Sequence, residues 1–270
     1  MRGAGRYVRL FLAFARFGLA TELSYRANFL IKLLVEALWL GILLIFYNEL
    51  YNRTQSIADW NRYQYLFFMG CHYALAGVVE TFFLENCIGF ADLVRSGDLD
   101  HYLLKPIDEQ FLITGRGIDW STMPNILQGA IIMVVALILD RWTFDPMRVL
   151  AFLLLFVCGA AMMYSFLLIL SSTSVWFVRN QSLMELWWLF TTLMRHPRQI
   201  FNNVWWAEPL GRFFTLIIPV LLVVSVPAET MVKVFEPGPM IGVVVATVVL
   251  LWLSRRLFFF ALKSYRSASS

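Results

Sequence analysis

Long apolar stretches alternate with short polar segments along the whole chain, and several of them reach the roughly 18 to 20 residues that a helix needs to cross a bilayer. The pattern predicts an all-α, polytopic membrane protein that forms one transmembrane domain over residues 1–270. Six transmembrane helices are expected. They cover about residues 27–47, 63–90, 118–139, 149–178, a fifth that starts over 183–194, and 240–262.

One apolar segment, residues 213–226, is too short to cross. It has Pro219 inside and Pro227 at its end, and it lies in an insertion that runs over residues 195–237 before the last span. A stretch of this length can dip into the membrane and return, provided that its backbone is buried in protein. We therefore predict a re-entrant helical insertion that enters from the outer side.

The first 25 residues predict an amphipathic helix. At about 100° per residue its arginines form one stripe and its large apolar side chains lie mostly opposite, as in a helix that lies in the membrane interface. The alternative is an ordinary helix packed on protein. The arginines are Arg2, Arg6, Arg9 and Arg16, and the facing side chains are Tyr7, Leu10, Phe11, Phe14 and Phe17.

Composition agrees with a membrane protein, since 60% of the 270 residues are hydrophobic and only 15% are charged. This excludes a soluble enzyme, a nucleic-acid binder and a disordered scaffold. The net charge of +4 is read as a signal of orientation in the lipid bilayer. Thirteen Lys and Arg fall in the segments expected inside and four in the two short outer loops, so both termini are predicted to be cytoplasmic, in the plasma or inner membrane.

Three ionisable side chains fall at membrane depth: Glu36, His72 and Glu80. Each buried charge costs about 2.5 to 3.5 kcal/mol on insertion scales, so each needs a partner or a wet cavity. They indicate either a substrate path or proton relay, or simple polar contacts between helices. Lys32 is one turn from Glu36, at the spacing that allows an ion pair.

No catalytic or metal-binding motif accompanies these residues, and no phosphate-binding GxxxxGK[ST] loop is present. The chain is therefore not expected to be an enzyme, and any ATP must be bound by another chain. Cys71, Cys87 and Cys158 lie in apolar stretches without CxxC spacing and are interpreted as small hydrophobic residues.

The most informative motif lies in the long polar segment 91–117, where Arg95-Ser96-Gly97-Asp98-Leu99-Asp100 is followed by Leu103-Leu104-Lys105-Pro106. It resembles the pattern in the second cytoplasmic segment of six-span permeases of the ABC exporter superfamily of type two. A weaker match is Phe214-Thr215-Leu216-Ile217-Ile218-Pro219, which ends at Val226-Pro227-Ala228 and is similar to the proline-punctuated stretch before the last span of that family.

The resemblance implies that residues 91–117 form a cytoplasmic coupling loop whose short helix docks on a separate ATP-binding subunit. From the residues alone, Asp92 to Leu99 can form an amphipathic helix with Gly97 as a break, and the alternative is a solvated loop. The residues expected to contact the subunit are Asp92, Leu93, Val94, Arg95, Ser96, Gly97, Asp98, Leu99 and Asp100.

The resemblance further implies an exporter in which two permeases, identical or related, form the substrate path between them above two ATP-binding subunits. ATP and Mg²⁺ would be bound on those subunits, with no cofactor in this chain. The rival is a proton-coupled secondary transporter that uses Glu36 and Glu80 as proton carriers, although no matching inverted halves are evident. A membrane-embedded enzyme is disfavoured, since no nucleophile–base pair is apparent.

Overall fold

The computed structural model describes residues 4–177, 180–202, 214, 219–233 and 235–265. The regular secondary structure of the described residues is helical, and helices contain 82% of the residues. Arg2, Arg179, residues 215–218 of the proline motif and the basic residue Arg266, all used in the sequence predictions, lie outside the described residues.

The described helices are, in chain order, α1 (Ala4–Ser24), α2 (Arg26–Arg53), α3 (Arg62–Val79), α4 (Glu85–Ser96), α5 (Leu99–Leu103), α6 (Glu109–Gly115), α7 (Met123–Leu139), α8 (Pro146–Thr173), α9 (Asn180–Met194), α10 (Gln199–Asn202), α11 (Val220–Val232) and α12 (Pro237–Ser264). A π-helical segment, Glu80–Leu84, joins α3 and α4 into one helix of 35 residues, Arg62–Ser96.

Four helices of the described part are long and apolar enough to cross a membrane: α2, the joined α3–α4 helix, α8 and α12. They coincide with four of the six expected spans. The third, α7, has 17 residues because the chain turns over residues 119–122, where Asp119 accepts from the Ser121 backbone at 2.9 Å. The fifth, α9, has 15 residues. The polytopic membrane class is confirmed, and the count of six spans stays a prediction.

The centre of the bundle depends on glycines that let backbones approach closely. Gly129 of α7 faces α3, where an added Cβ would stand 2.4 Å from the Ala74 nitrogen and 2.6 Å from the Gly70 oxygen. A Cβ on Gly70 would in turn lie 2.8 Å from the Gly129 oxygen. Small residues at helix crossings are characteristic of membrane bundles, where close packing replaces the hydrophobic effect between helices.

The short helix α11 lies inside the bundle, against α8 and α3, and all 13 of its residues are buried. The described helix, Val220–Val232, is offset from the apolar segment 213–226 that the sequence singled out. Pro219 precedes the helix as its N-cap residue, and Pro227 lies within it. The missing N–H of Pro227 leaves the Val223 carbonyl without its helical donor. That carbonyl lies against Gly159 of α8, where a Cβ would be only 2.8 Å away.

Three side chains from other elements bind the carbonyls at the C-terminal end of α11, which have no partner inside the helix. Trp142 Nε1 donates to the Met231 oxygen at 3.0 Å, Gln64 Nε2 to Val232 at 3.3 Å and Arg148 Nη1 to Lys233 at 3.1 Å. These donors flank the end of the bundle that contains Trp60, which we call the Trp60 end; the opposite end is the Asp98 end.

Because Val223 lies against the middle of α8 while Met231 lies at the Trp60 end, α11 traverses only about half of the bundle, roughly 20 Å for 13 residues. This length is compatible with the returning limb of a re-entrant insertion. Most of the entering limb lies outside the described residues, so the insertion itself stays a prediction.

The N-terminal helix α1 packs on the protein through the aromatic side predicted opposite its arginines. Tyr7 meets Phe111 edge to face at 4.9 Å between ring centroids, and Phe11 lies 6.0 Å from Phe82. Phe17, expected on the same side, is 75% exposed. A further apolar flank, with Val8, is exposed beside the described arginines. Helix α1 therefore shows features of both alternatives: it packs on protein, and it keeps an exposed apolar flank.

Candidate functional site

The three intramembrane residues singled out in the sequence line one cavity of about 520 Å³ between α2, α3 and α9. Glu36 comes from α2, His72 from α3, and Glu80 from the first position of the π-helical segment. Such π-helical insertions occur frequently at functional sites. The other lining residues are Trp39, Ile42, Leu43, Phe46, Tyr73, Ala76, Asn125, Trp188, Thr191 and Arg195.

Lys32 does not neutralise Glu36, although the helical spacing allowed that pair. Lys32 Nζ donates to Ser121 Oγ at 3.0 Å and lies 3.9 Å from Glu22 Oε1. The reason is tertiary: the turn before α7 places a hydroxyl within reach, and the end of α1 supplies a second carboxylate. Glu36 is therefore left to the cavity.

Several polar atoms around the cavity have no hydrogen-bond partner among the described residues. They are His72 Nδ1, Asn125 Oδ1 and Arg195 Nε, all fully removed from the surface. Glu80 interacts electrostatically with Glu36 and with Arg195. A polar intramembrane cavity with unsatisfied groups is suited to a polar ligand or to water, because unpaired buried groups are costly.

Sequence reasoning missed Asn125 and Arg195 as members of this site. Arg195 follows the apolar run of α9, and an arginine so placed signals an intramembrane role. The sequence analysis used it only as the first residue of the insertion 195–237. Asn125 carried no comparable signal, since one amide in the first turn of α7 is unremarkable without the fold.

The coupling motif lies at the Asp98 end, but not as the separate helix that was expected over Asp92 to Leu99. The second-span helix continues to Ser96 and stops at Gly97, whose φ of 82° is left-handed. Glycine adopts this conformation readily and commonly ends helices. A second short helix, α5, then begins at Leu99. The break at Gly97 is confirmed, and the residues before it form the end of the long second-span helix.

Within residues 92–100 of the motif, the apolar side chains face the protein itself. Leu93 and Leu99 belong to a buried cluster with Phe90, Ile113, Leu168 and Phe258, which joins the motif to α6, α8 and α12. Val94 packs against this cluster. Leu93, Val94 and Leu99 were among the residues expected to contact the subunit, whereas Leu93 and Leu99 are buried here.

The surface that remains on residues 92–100 of the motif is polar. Its exposed side chains are Asp92, Arg95, Ser96 and Asp98, continued by His101, Leu104 and Lys105. Arg95 pairs with Asp92 at 2.5 Å, and Ser96 Oγ donates to Asp98 Oδ2 at 2.8 Å. Asp100 is half-buried and interacts with Tyr265. We call the exposed face of Asp92, Arg95, Ser96 and Asp98 the coupling face.

A second polar link joins this end to the last helix. Asp108 accepts from the Phe111 backbone at 3.0 Å, capping α6, and from Arg255 Nη2 of α12 at 2.7 Å. Partial burial acts to raise the pKa of Asp108, but the hydrogen bonds from Arg255 and from Phe111 outweigh it and lower the pKa below its usual range. Asp108 is therefore ionised near neutral pH, which maintains the pair.

No group of three or more His, Cys, Asp or Glu side chains that could hold a metal ion occurs in the described part of the chain. The three cysteines are free; Cys71 and Cys87 are buried and Cys158 is partly buried. This placement agrees with their interpretation as small hydrophobic residues.

A helical membrane domain with an ionisable cavity at membrane depth is typical of a membrane transport protein. Residues 37–269 match the model of a family described as ABC-2 family transporter protein, and the chain therefore belongs to the ABC-2 transporter permease family. Members of this family are membrane transport components and are not themselves catalytic. No curated protein and no solved structure matches the chain.

Proposed function

We propose that the chain is the permease subunit of an ATP-driven exporter, which works as a dimer with itself or a related permease and docks separate ATP-binding subunits at the Asp98 end. The observation that carries this proposal is the coupling face, a polar surface mounted on a buried cluster that reaches α8 and α12. Family membership supports it, because permeases of this family normally work with an ATP-binding subunit. ATP and Mg²⁺ would be bound on that partner.

The buried side chains beneath the coupling face connect it to the long helices α8 and α12, and this connection can transmit movement. Leu93 and Leu99 pack in one cluster with Leu168 of α8 and Phe258 of α12, and close-packed interiors transmit displacement with little compression. The Asp108–Arg255 pair adds a second connection to α12. A shift of the coupling face on closure of the ATP-binding subunits would therefore move two of the long helices together.

The proposed orientation places the Asp98 end and both termini in the cytoplasm. The bias of Lys and Arg supports this assignment. In the same orientation α1 lies in the inner membrane interface, with its exposed apolar flank towards lipid, and the insertion 195–237 opens to the outer side. The half-length of α11 and its attachment at the Trp60 end support that topology.

The experiment reverses the charges of the coupling face and compares a matched pair at the other end. Arg95→Glu with Asp98→Lys preserves net charge and alters two exposed side chains. We expect normal abundance in the membrane, loss of transport, and at least a tenfold drop in co-purified ATP-binding subunit, since like charges at a docking site repel. Asp100 is left intact because it also contacts Tyr265.

The control is Glu49→Lys with Arg53→Glu, on the exposed last turns of α2 near the Trp60 end. It makes the same exchange of charge and should retain both partner and transport. A coupling-face variant that holds its subunit as well as this control does would contradict the docking role.

The shared cavity of Glu36 and Glu80 gives the proton-coupled alternative one specific observation. The two mechanisms differ in their energy source. Under our proposal, transport in inverted vesicles that contain the ATP-binding subunit continues when a protonophore collapses the proton gradient, as long as ATP is present. Transport that stops with the gradient at constant ATP would favour the alternative.

A further inference from the structure

The cavity between α2, α3 and α9 holds two carboxylates that no lysine or arginine of the described residues meets in a direct ion pair. Lys32, the cation nearest to Glu36 in sequence on α2, is engaged with Ser121 and Glu22. Arg195 acts on Glu80 electrostatically, and its Nε atom has no hydrogen-bond partner in the described part of the chain. Arg195 also lines the cavity, so two carboxylates stand against one guanidinium, and the wall carries an excess of one negative charge.

The cavity wall also contains an uncharged acceptor that needs a donor. Asn125 is 5% exposed and its Oδ1 atom has no partner within the described chain; His72 is 4% exposed, and its unpartnered Nδ1 accepts only in the tautomer that carries the proton on Nε2. Buried acceptors without donors are unfavourable, and a ligand that supplies N–H groups relieves that cost. A ligand with several N–H donors on a positive group suits these atoms together with the carboxylates.

The remaining wall is aromatic and apolar. Trp39 of α2, Tyr73 of α3 and Trp188 of α9 line the cavity beside the carboxylates. Aromatic faces attract cations and also accommodate hydrocarbon. Neighbouring side chains of α2 outside the cavity are apolar and exposed, with Leu34 59% and Leu38 57% exposed, so the cavity borders a surface suited to lipid.

We propose that this cavity binds an amphipathic primary amine. Its ammonium group donates to Glu36, Glu80 and the Asn125 side-chain oxygen, and its apolar body lies against the three aromatic rings. This inference rests on the proposed function, since it assigns a substrate class to the exporter. Concave, mostly apolar sites with a few converging polar groups are the usual form of small-molecule sites.

The test uses dansylcadaverine, a primary amine on an aromatic sulfonamide, with the full chain purified in lipid nanodiscs. Binding is followed by energy transfer from tryptophan to the dansyl group. The N-acetyl derivative of the same probe keeps its size and apolar body but lacks the charge, so it also reports simple partition into lipid. We expect dansylcadaverine to bind at least tenfold more tightly than the acetylated probe, because only the ammonium meets the carboxylates.

Two near-isosteric variants identify the carboxylates. Glu36→Gln and Glu80→Gln should each weaken dansylcadaverine binding about tenfold, the effect expected for loss of one charge-assisted contact. The matched control is Glu49→Gln, an exposed glutamate on α2 outside the cavity, which should leave binding unchanged. The two probes are also compared on the unmodified protein. That comparison tests the proposal even if a substitution reduces folding.

Equal affinity for the charged and acetylated probes would overturn the proposal, as would glutamine variants that bind like the Glu49→Gln control. The assay contains no ATP-binding subunit. If the protein binds the amine selectively but the coupling-face variant still holds its ATP-binding subunit, the exporter mechanism alone is contradicted. If the coupling-face variant loses its subunit as expected but the protein does not prefer the amine, the ligand assignment alone is contradicted.

Discussion

Helices α2 and α11 are both strongly apolar, yet their surroundings are opposite. In α2, which has 28 residues, only Leu40, Tyr47 and Tyr51 are buried. In α11 all 13 residues are buried, including Glu229. One helix presents its side chains to the outside of the bundle, and the other forms its interior.

This contrast shows that hydrophobicity decides whether a segment leaves water, but not whether lipid or protein surrounds it. Length separates the two cases, because about 42 Å of α2 can span a bilayer and about 20 Å of α11 cannot. A short apolar helix at membrane depth has unsatisfied ends, which protein groups must bind. In α11 those groups are Trp142, Gln64 and Arg148.

The largest expected effect removes the buried charge of α11. Glu229 accepts from Arg198 Nη2 at 2.8 Å, from Arg198 Nε at 3.2 Å and from Gln199 Nε2 at 2.5 Å. Glu229→Ala leaves that arginine partly buried without its partner, and we expect a loss of about 3 to 5 kcal/mol in the free energy of unfolding. Unfolding in mixed micelles, followed by tryptophan fluorescence, measures the change.

The matched substitution on α2 is Glu49→Ala, at an exposed position. It should alter stability by less than about 0.5 kcal/mol. Equal losses for the two alanine variants would show that burial of α11 does not distinguish it from α2.

The next effect concerns backbone approach. A Cβ on Gly159 of α8 would stand 2.8 Å from the Val223 oxygen of α11, whereas Gly41 of α2 has nothing within 4 Å of the same position. We expect Gly159→Ala to cost about 1 to 3 kcal/mol through overpacking. Gly41→Ala should be neutral or stabilising by up to about 1 kcal/mol, because alanine is the better helix former. Two variants with the same unfolding curve would contradict the close contact of α8 with α11.

Part of this contrast could be predicted from sequence and part could not. The apolar run of α2 has the length of a span, and the short run before the last span was rightly singled out as too short to cross. The sequence did not predict that a helix continues through Pro227, because local rules place a proline at a helix end. Pro227 lies inside α11, where the released Val223 carbonyl meets the bare backbone of Gly159.

The cavity was predictable only residue by residue. Glu36, His72 and Glu80 were identified because an ionisable group at membrane depth is rare. The packing of α2, α3, α7 and α9 brings these residues together, places Lys32 against Ser121 and adds Arg195 to the cavity wall. Residue spacing along a single helix does not predict that packing. The family resemblance found the coupling motif, but not that Leu93 and Leu99 face inwards.

The smallest effect tests how α2 is held, given that it buries so little. Tyr51 donates from its hydroxyl to the Trp60 backbone oxygen at 3.1 Å, and that oxygen also accepts from the Ile57 nitrogen at 3.1 Å. Because the second bond survives, Tyr51→Phe should cost only about 0.5 to 1 kcal/mol, the lower part of the range for a hydrogen bond. The control is Tyr25→Phe, at a side chain just before α2 that is 68% exposed. It should leave the free energy of unfolding unchanged. If the two phenylalanine variants unfold alike in mixed micelles, the Tyr51 hydroxyl does not hold α2 at the Trp60 end. The attachment then comes from the other contacts there: the rings of Tyr47 and Tyr51 against Tyr65, the hydroxyl hydrogen bond of Tyr47 with Tyr65 at 3.1 Å, and the hydrogen bonds that Arg62 donates to Asn48 and Asn52.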